Sequence, residues 1–203
     1  MIDSNLLKVL PIEESKTIPS NWYYDKKIYD IEKKNIFLKS WHLIGSESLV
    51  PNIGDTIIKE ILNQPIILSR HKDKSIKAFY NVCQHRGGPL LRKDDCIRVF
   101  QCKYHGWIYN MNGELKKTRE FKGVKNFKSE NYNLKPISLK SWMGLIFITF
   151  GAKDETFFDQ LEEIRNQISP FDFSSFLYHS RVSYSIKCNW KTYVDNYLEG
   201  YHI

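Results

Sequence analysis

Residues 83–107 constrain this chain more than any other stretch. They read Cys83-Gln84-His85-Arg86-Gly87-Gly88-Pro89, an intervening segment, and Cys102-Lys103-Tyr104-His105-Gly106-Trp107. One cysteine and one histidine stand in each half, in the pattern C-x-H … C-x-x-H. Thiolate and imidazole are ligands that zinc and iron–sulfur centres both take. Spacing separates the two. A zinc finger groups its cysteines first and its histidines afterwards. Here each half supplies one sulfur and one nitrogen, which suits a two-iron cluster with both cysteines on one iron and both histidines on the other.

Gly87, Gly88 and Gly106 would let the backbone approach such a cluster and turn its N–H groups toward the sulfides. Trp107 is expected to pack against the loops and keep water from the inner iron, leaving the imidazoles at the exposed tip. The strings NVCQHRGGPL and QCKYHGWIYNMNGEL resemble the Rieske domain of ring-hydroxylating and related Rieske non-haem iron oxygenases. The resemblance implies a 2Fe–2S cluster held by Cys83, His85, Cys102 and His105. Respiratory-chain Rieske proteins carry an extra cysteine in each loop, joined as a disulfide, where this chain has Gly88 and Tyr104. They also carry a serine donor to a cluster sulfur where this chain has Trp107. Fewer donors stabilise the reduced cluster less, so a potential toward the low end of the Rieske range is expected.

The final stretch places Trp190, Tyr193, Val194, Tyr197, Leu198 and Tyr201 at the spacing of one helical face. Glu199 and His202 are three apart, hence neighbours on such a helix. Taken alone, this is an amphipathic helix with a surface Glu–His pair. Beside the cluster motif, NWK and DNYLEGYH resemble the opening of the oxygenase catalytic domain of the same family. The resemblance implies that His202 is the first ligand of a mononuclear non-haem Fe(II) in a 2-His-1-carboxylate triad. It also implies that Glu199 bridges this histidine to a Rieske histidine, His105, of an adjacent subunit. Asp195 and Asn196 match the family's acidic-Asn pair. The family's remaining iron ligands lie further on, so the chain reads as the N-terminal part of a large (alpha) subunit, inactive alone.

From the resemblance follow the expected partners. Electrons from NAD(P)H arrive through a reductase or ferredoxin, cross by Glu199 to the iron, and support O2-dependent hydroxylation or demethylation of a small organic substrate. Glutamate at 199 points to quaternary ammonium compounds, with aromatic compounds as the other class. An intersubunit electron path implies a homotrimer or a multiple of it. The alternative, a stand-alone Rieske ferredoxin-type electron carrier, leaves residues 1–40 and 152–203 without a use.

Composition narrows the setting. Apolar residues at 42% and charged residues at 26% are ordinary for a globular protein. The net charge is +7, with a basic run of Lys116, Lys117, Arg119, Lys122, Lys125 and Lys128. It reads as a solvated surface, the alternative being a docking face for an acidic electron donor. No nucleic-acid motif accompanies the charge, so nucleic acid is not an expected partner. Asp3, Glu13 and Glu14 interrupt the first twenty residues, and the most apolar stretch, Trp142 to Phe150, is too short to span a bilayer. No membrane role and a cytoplasmic setting are expected. Cys96 and Cys188 fit there as small core or semi-buried thiols.

The expected fold class is α+β: an antiparallel β-sandwich Rieske domain over residues 41–150, with a segment 1–40 that packs on the catalytic domain and the start of that α+β domain at 151–203. Periodicity predicts helices from about Asp25 to Ser40, with Ile28, Ile31, Ile36 and Phe37 recurring, and from Thr156 to Ile168, with Phe157, Leu161, Ile164 and Ile168 on one face. The resemblance implies a first strand at Trp41 to Gly45, and strands are expected at Thr56 to Leu62 and Pro65 to Arg70 around an Asn63-Gln64 turn, at Ile76 to Val82 and Ile97 to Gln101, and at Trp142 to Phe150 and Leu177 to Lys187. Asn110 to Gly113 reads as a hairpin turn. His42 is expected to be a satisfied structural residue, His71 to lie in a polar turn, and His179 to face outward on its strand.

Overall fold

The computed structural model describes residues 8–121, 123–151 and 156–200. It forms two compact units, Phe37–Ser180 and the pair of segments Met1–Ile36 and Arg181–Ile203.

The larger unit carries ten strands among the described residues: β1 (His42–Ser46), β2 (Asp55–Ile61), β3 (Gln64–Arg70), β4 (Ile76–Tyr80), β5 (Asp95–Cys96), β6 (Val99–Gln101), β7 (Ile108–Asn110), β8 (Leu115–Lys117), β9 (Pro136–Trp142) and β10 (Leu145–Thr149). Seven form one antiparallel sheet in the order β1-β10-β9-β4-β3-β2-β5, and β6-β7-β8 form a second. β-Branched and aromatic runs such as Ile57-Ile58, Ile66-Ile67 and Ile146-Phe147-Ile148 favour these strands. Alternation along β3 and β4 then divides the interior. Ile66, Leu68 and Ala78 join Ile44, Val50, Ile146 and Ile148 in one buried cluster. Ile67 and Phe79 join Phe100, Trp107 and Tyr109 in another, which also holds Cys83 and Cys102. Successive side chains on a strand point to opposite faces, so one sheet lines both cores.

Two turns differ from the sequence reading. Leu62 and Asn63, at φ 53° and 63°, form the turn between β2 and β3, so Gln64 already pairs with Ile61. The turn therefore sits one residue earlier than expected. Met143 and Gly144, at φ 48° and 75°, divide the stretch expected to be a single strand from Trp142 to Phe150. Trp142 instead closes β9 and pairs with Leu145 of β10. The apolar composition concealed that turn, since Met143 carries no turn signal.

The next helix, α2 (Thr156–Ile168), has the expected bounds. In its first turn, Phe157 and Phe158 pack on Trp41 and Phe147. Ile164, expected on the buried face, is exposed. Residues 177–187 do not form a strand, and Leu177, Val182 and Tyr184 are exposed. Alternation specifies the two faces of a strand but supplies no neighbour to take its N–H and C=O groups. His179 is exposed without belonging to a strand. His42 meets the Phe37 carbonyl through Nε2 at 2.6 Å. His71 is buried, not in an open turn, and its Nε2 lies 3.1 Å from Ser69 Oγ. Burial pushes its pKa down, and Lys77 adds to this. Cys96 and Cys188 are both exposed. Cys96 misses the core because β5 is a two-residue edge strand.

In the smaller unit, helix α1 (Lys26–Asn35) starts at Asp25, whose carboxylate accepts the Lys27 N–H at 2.8 Å. It stops before the predicted Ser40; Phe37–Lys39 is a separate 3-10 turn. Helix α3 (Trp190–Leu198) starts at Asn189, which accepts the Lys191 N–H at 3.0 Å. The buried residue of α1 is Glu32, while Ile31 and Ile36 are exposed. Glu32 Oε1 accepts from Lys191 Nζ at 2.6 Å, and Oε2 accepts from Trp190 Nε1 at 2.9 Å. A charged anchor thus replaces the apolar face that periodicity predicted. No helix among the described residues is long and apolar enough to cross a membrane.

Candidate metal centre

The same local structure is built twice. After β4 the Cys83 N–H donates to the Gly88 carbonyl at 2.9 Å, and after β6 the Cys102 N–H donates to the Trp107 carbonyl at 2.9 Å. In each loop the glycine four residues beyond the cysteine donates back to the cysteine carbonyl, Gly87 at 3.0 Å and Gly106 at 2.8 Å. Both glycines sit at φ +71°, where a side chain is disfavoured. The repeated spacing from cysteine to glycine was the sequence signal for this symmetry. The loops also close on each other, because a Cβ on Gly88 would lie 3.5 Å from Cys102 Sγ.

Both cysteines are buried, each 2% exposed, against Leu90, Phe100, Trp107 and Tyr109. Both histidines are half-buried. Their ring centroids lie 4.8 Å apart at 72°. His85 stacks on Trp107 at 4.8 Å and 9°, and Tyr104 lies against His105 at 3.8 Å. The sulfurs therefore lie inside and the imidazole rings nearer the surface. Among the described residues, no three of His, Cys, Asp and Glu converge as ligands of a single ion.

A two-iron cluster fits this donor set. His85 Nδ1 is buried and has no hydrogen-bond partner. An unsatisfied buried polar atom is costly, and a metal bond would satisfy it. Burial, then the neighbouring His105 and Arg86, lowers the His85 pKa and favours the neutral imidazole that ligates metals. Burial pushes the Cys83 thiol up, and Cys102 nearby adds to this.

Two contributors had escaped the sequence reading. Tyr109 is fully buried, with its hydroxyl 3.3 Å from Cys83 Sγ. The Gln84 N–H donates to that same hydroxyl oxygen at 3.0 Å, which leaves the hydroxyl proton for the sulfur. Burial, reinforced by Cys83, holds the Tyr109 hydroxyl protonated, far above the ordinary tyrosine range. Its only sequence signal was alternation: Trp107 and Tyr109, two apart at the start of β7, share the inward face. Asn81 is the other. Its Oδ1 accepts the N–H groups of Leu90 and Leu91 at 2.9 and 3.0 Å, and its Nδ2 donates to the Leu91 carbonyl at 2.8 Å. This amide fixes the far end of the first loop.

At the other candidate site, Glu199 follows α3 in extended conformation, φ −86° and ψ 113°. Its N–H donates to the Asp195 carbonyl at 3.0 Å. Glu199 caps the helix instead of continuing it. His202 itself lies outside the described residues. Tyr193, Val194, Tyr197 and Leu198, expected to form an apolar face, are exposed. Tyr23, Tyr29, Tyr184, Trp190 and Tyr193 line a cavity of about 840 Å³ within this unit. Of the basic run, Lys116, Lys117, Arg119, Lys125 and Lys128 are exposed, and Lys122 lies outside the described residues.

Comparison with known proteins agrees with this geometry. Residues 40–128 match the Rieske [2Fe-2S] domain, and residues 173–203 match the ring hydroxylating alpha subunit (catalytic domain). Over 193 residues the chain is 35% identical to the carnitine monooxygenase oxygenase subunit of Escherichia coli (strain K12), covering 94% of this chain and 52% of that one. It is 30% identical over 206 residues to the chloroplastic choline monooxygenase of Arabidopsis thaliana, covering 96% and 49% respectively. The solved structure of a quaternary ammonium Rieske monooxygenase in complex with L-carnitine matches with a TM-score of 0.82 at 32% identity, covering 91% of this chain and 53% of that one. The chain spans about half the length of the curated relatives it matches. The catalytic-domain match overturns the alternative of a stand-alone ferredoxin. With antiparallel sheets, paired loops and both domain matches in place, the chain belongs to the Rieske non-haem iron oxygenase family, where it corresponds to the N-terminal portion of the large (alpha) subunit.

Proposed function

We propose that this chain supplies the electron-accepting part, and the first ligand of the oxygen-activating iron, of an oxygenase that hydroxylates or demethylates quaternary ammonium compounds. Cys83 and Cys102 would hold one iron of the 2Fe–2S cluster, and His85 and His105 the other. When bound, such a cluster supplies one-electron storage, and a mononuclear Fe(II) at His202 supplies O2 activation. The chain's own groups do the rest. Trp107 covers the inner side of His85 and excludes water. The Tyr109 hydroxyl donates toward Cys83, which favours the additional negative charge of the reduced state. Glu199 would accept from His202 and from His105 of an adjacent subunit, holding both rings in one tautomer along the electron path.

Such a bridge calls for a homotrimer or a multiple of it, with a reductase or ferredoxin drawing on NAD(P)H as the donor. The N-terminal segment would serve the catalytic domain and residues 41–150 the cluster. The grouping of Met1–Ile36 with Arg181–Ile203 supports that division. The substrate class rests on Glu199 and on the relatives named for carnitine and choline.

One observation carries the reading: twin loops with buried sulfurs, half-buried imidazoles and a partnerless His85 Nδ1. The test is anaerobic reconstitution with iron and sulfide, followed by metal and sulfide analysis. Two irons and two sulfides per chain with a red-brown colour are expected. A colourless, iron-free product overturns the reading. In a full-length enzyme, substrate-dependent O2 uptake with carnitine, choline or glycine betaine is the matching outcome, and uptake with aromatic compounds alone would reassign the substrate class.

A further inference from the structure

Helix α3 presents Lys191 and Asp195 four residues apart along one side, and Glu199, which caps its C-terminus, follows four residues further on. The first two are tied to the N-terminal segment. Lys191 Nζ meets Glu32 Oε1 at 2.6 Å, and the pair is about nine-tenths buried. Trp190 Nε1 holds the other Glu32 oxygen at 2.9 Å. The Lys191 ammonium also lies 5.9 Å from the Tyr23 ring centre and 5.3 Å from that of Trp190. One turn later, the Tyr23 hydroxyl donates to Asp195 Oδ2 at 2.6 Å. The Asp195 carbonyl then accepts the Glu199 N–H at 3.0 Å.

We propose that Tyr23, acting through Asp195, and Glu32, acting through Trp190 and Lys191, are positioning residues that fix where Glu199 leaves α3. A single tie would leave the helix free to roll about its axis. Two ties a turn apart on one side fix both rotation and translation, and Glu199 caps the helix four residues beyond the second. Burial alone would be served as well by apolar residues, whereas hydrogen-bonded charges add direction. The Tyr23 hydroxyl is already sensitive to this end of the helix: Asp195 raises its pKa, and the charge of Glu199 adds to the rise. The proposal rests on the reading of Glu199 as the electron bridge. It adds that the N-terminal segment belongs to the machinery of that bridge.

The test uses a full-length oxygenase carrying this sequence, with Tyr23→Phe, Asp195→Ala, Asp195→Asn and Glu199→Gln variants. Hydrogen exchange at the Glu199 amide is measured first. Tyr23→Phe and Asp195→Ala should accelerate it while exchange in residues 83–110 stays at the wild-type rate. Asp195→Asn, whose side-chain carbonyl still accepts from Tyr23, should restore protection. Reoxidation of the pre-reduced enzyme by O2 and substrate is measured next. The variants that lose the tie should slow it by roughly tenfold to a hundredfold, as expected for a misplaced group, with cluster absorption and iron content unchanged. If Glu199→Gln stalls reoxidation but Tyr23→Phe and Asp195→Ala retain wild-type exchange and rate, the positioning role is overturned and the bridge survives. If Glu199→Gln itself reoxidises normally, both are overturned.

Discussion

At the scale of single residues, the centre depends on groups that a ligand motif does not contain. Comparison of flanking residues removes the serine donor and leaves Trp107 in its place, yet the structure aims the Tyr109 hydroxyl at the Cys83 sulfur. Tyr109→Phe deletes that donor, and with it the oxygen that accepts the Gln84 N–H. A hydrogen bond to a charged acceptor contributes about 1.5–3 kcal/mol; only the part gained on reduction moves a one-electron couple, so the midpoint potential should fall, with roughly 60–130 mV as the upper bound. Protein-film voltammetry on the reconstituted protein reads it directly, and an unchanged potential would remove Tyr109 from the account. Asn81 makes a complementary prediction. Asn81→Ala leaves the Leu90 and Leu91 N–H groups without their acceptor. It should destabilise the protein by about 1–3 kcal/mol and lower cluster retention during gel filtration, with the spectrum of retained cluster unaltered.

At the scale of elements, the two loops and the two short helices follow different rules. Each loop turns through a glycine at φ +71°. Gly87→Ala should cost about 1–2 kcal/mol from backbone conformation alone, because a Cβ there meets nothing within 4 Å. Gly106→Ala should cost more, since its Cβ would lie 3.2 Å from Arg119 Cδ. Thermal unfolding of the two variants gives the comparison, and equal melting temperatures would argue against the Arg119 contact. The helices are joined by charge. Glu32→Ala strands Lys191 in a buried site and should lose about 3–5 kcal/mol, whereas the double change Glu32→Leu with Lys191→Met should recover most of it. Urea denaturation followed by intrinsic tryptophan fluorescence separates these outcomes; a double variant as weak as the single would contradict the buried-pair account.

At the scale of the whole molecule, what could be read from the sequence divides by the range of the interaction. The four candidate ligands, the hairpin turn at Asn110 to Gly113 and the bounds of α2 were legible because each is specified within a few residues. Met143-Gly144 was hidden by apolar neighbours, although the backbone there reverses and adds β9 to the sheet. Residues 177–187 alternate like a strand, but pairing depends on a neighbour that local pattern does not reveal. Asn81 reaches the candidate centre through tertiary contact, so no spacing marks it, and Tyr109 is marked only by its two-residue spacing from Trp107. Glu32 inverted the expected helix, because one buried carboxylate with two donors outweighs a sparse row of isoleucines.

The central claim is that two histidine nitrogens and two cysteine sulfurs hold one iron pair. Pulsed electron paramagnetic resonance on reconstituted, dithionite-reduced protein tests it most directly. The account predicts a rhombic Rieske-type signal with two resolved nitrogen couplings, of which His105→Cys removes one while a cluster persists. A signal without directly bound nitrogen, or one unchanged by His105→Cys, would contradict it.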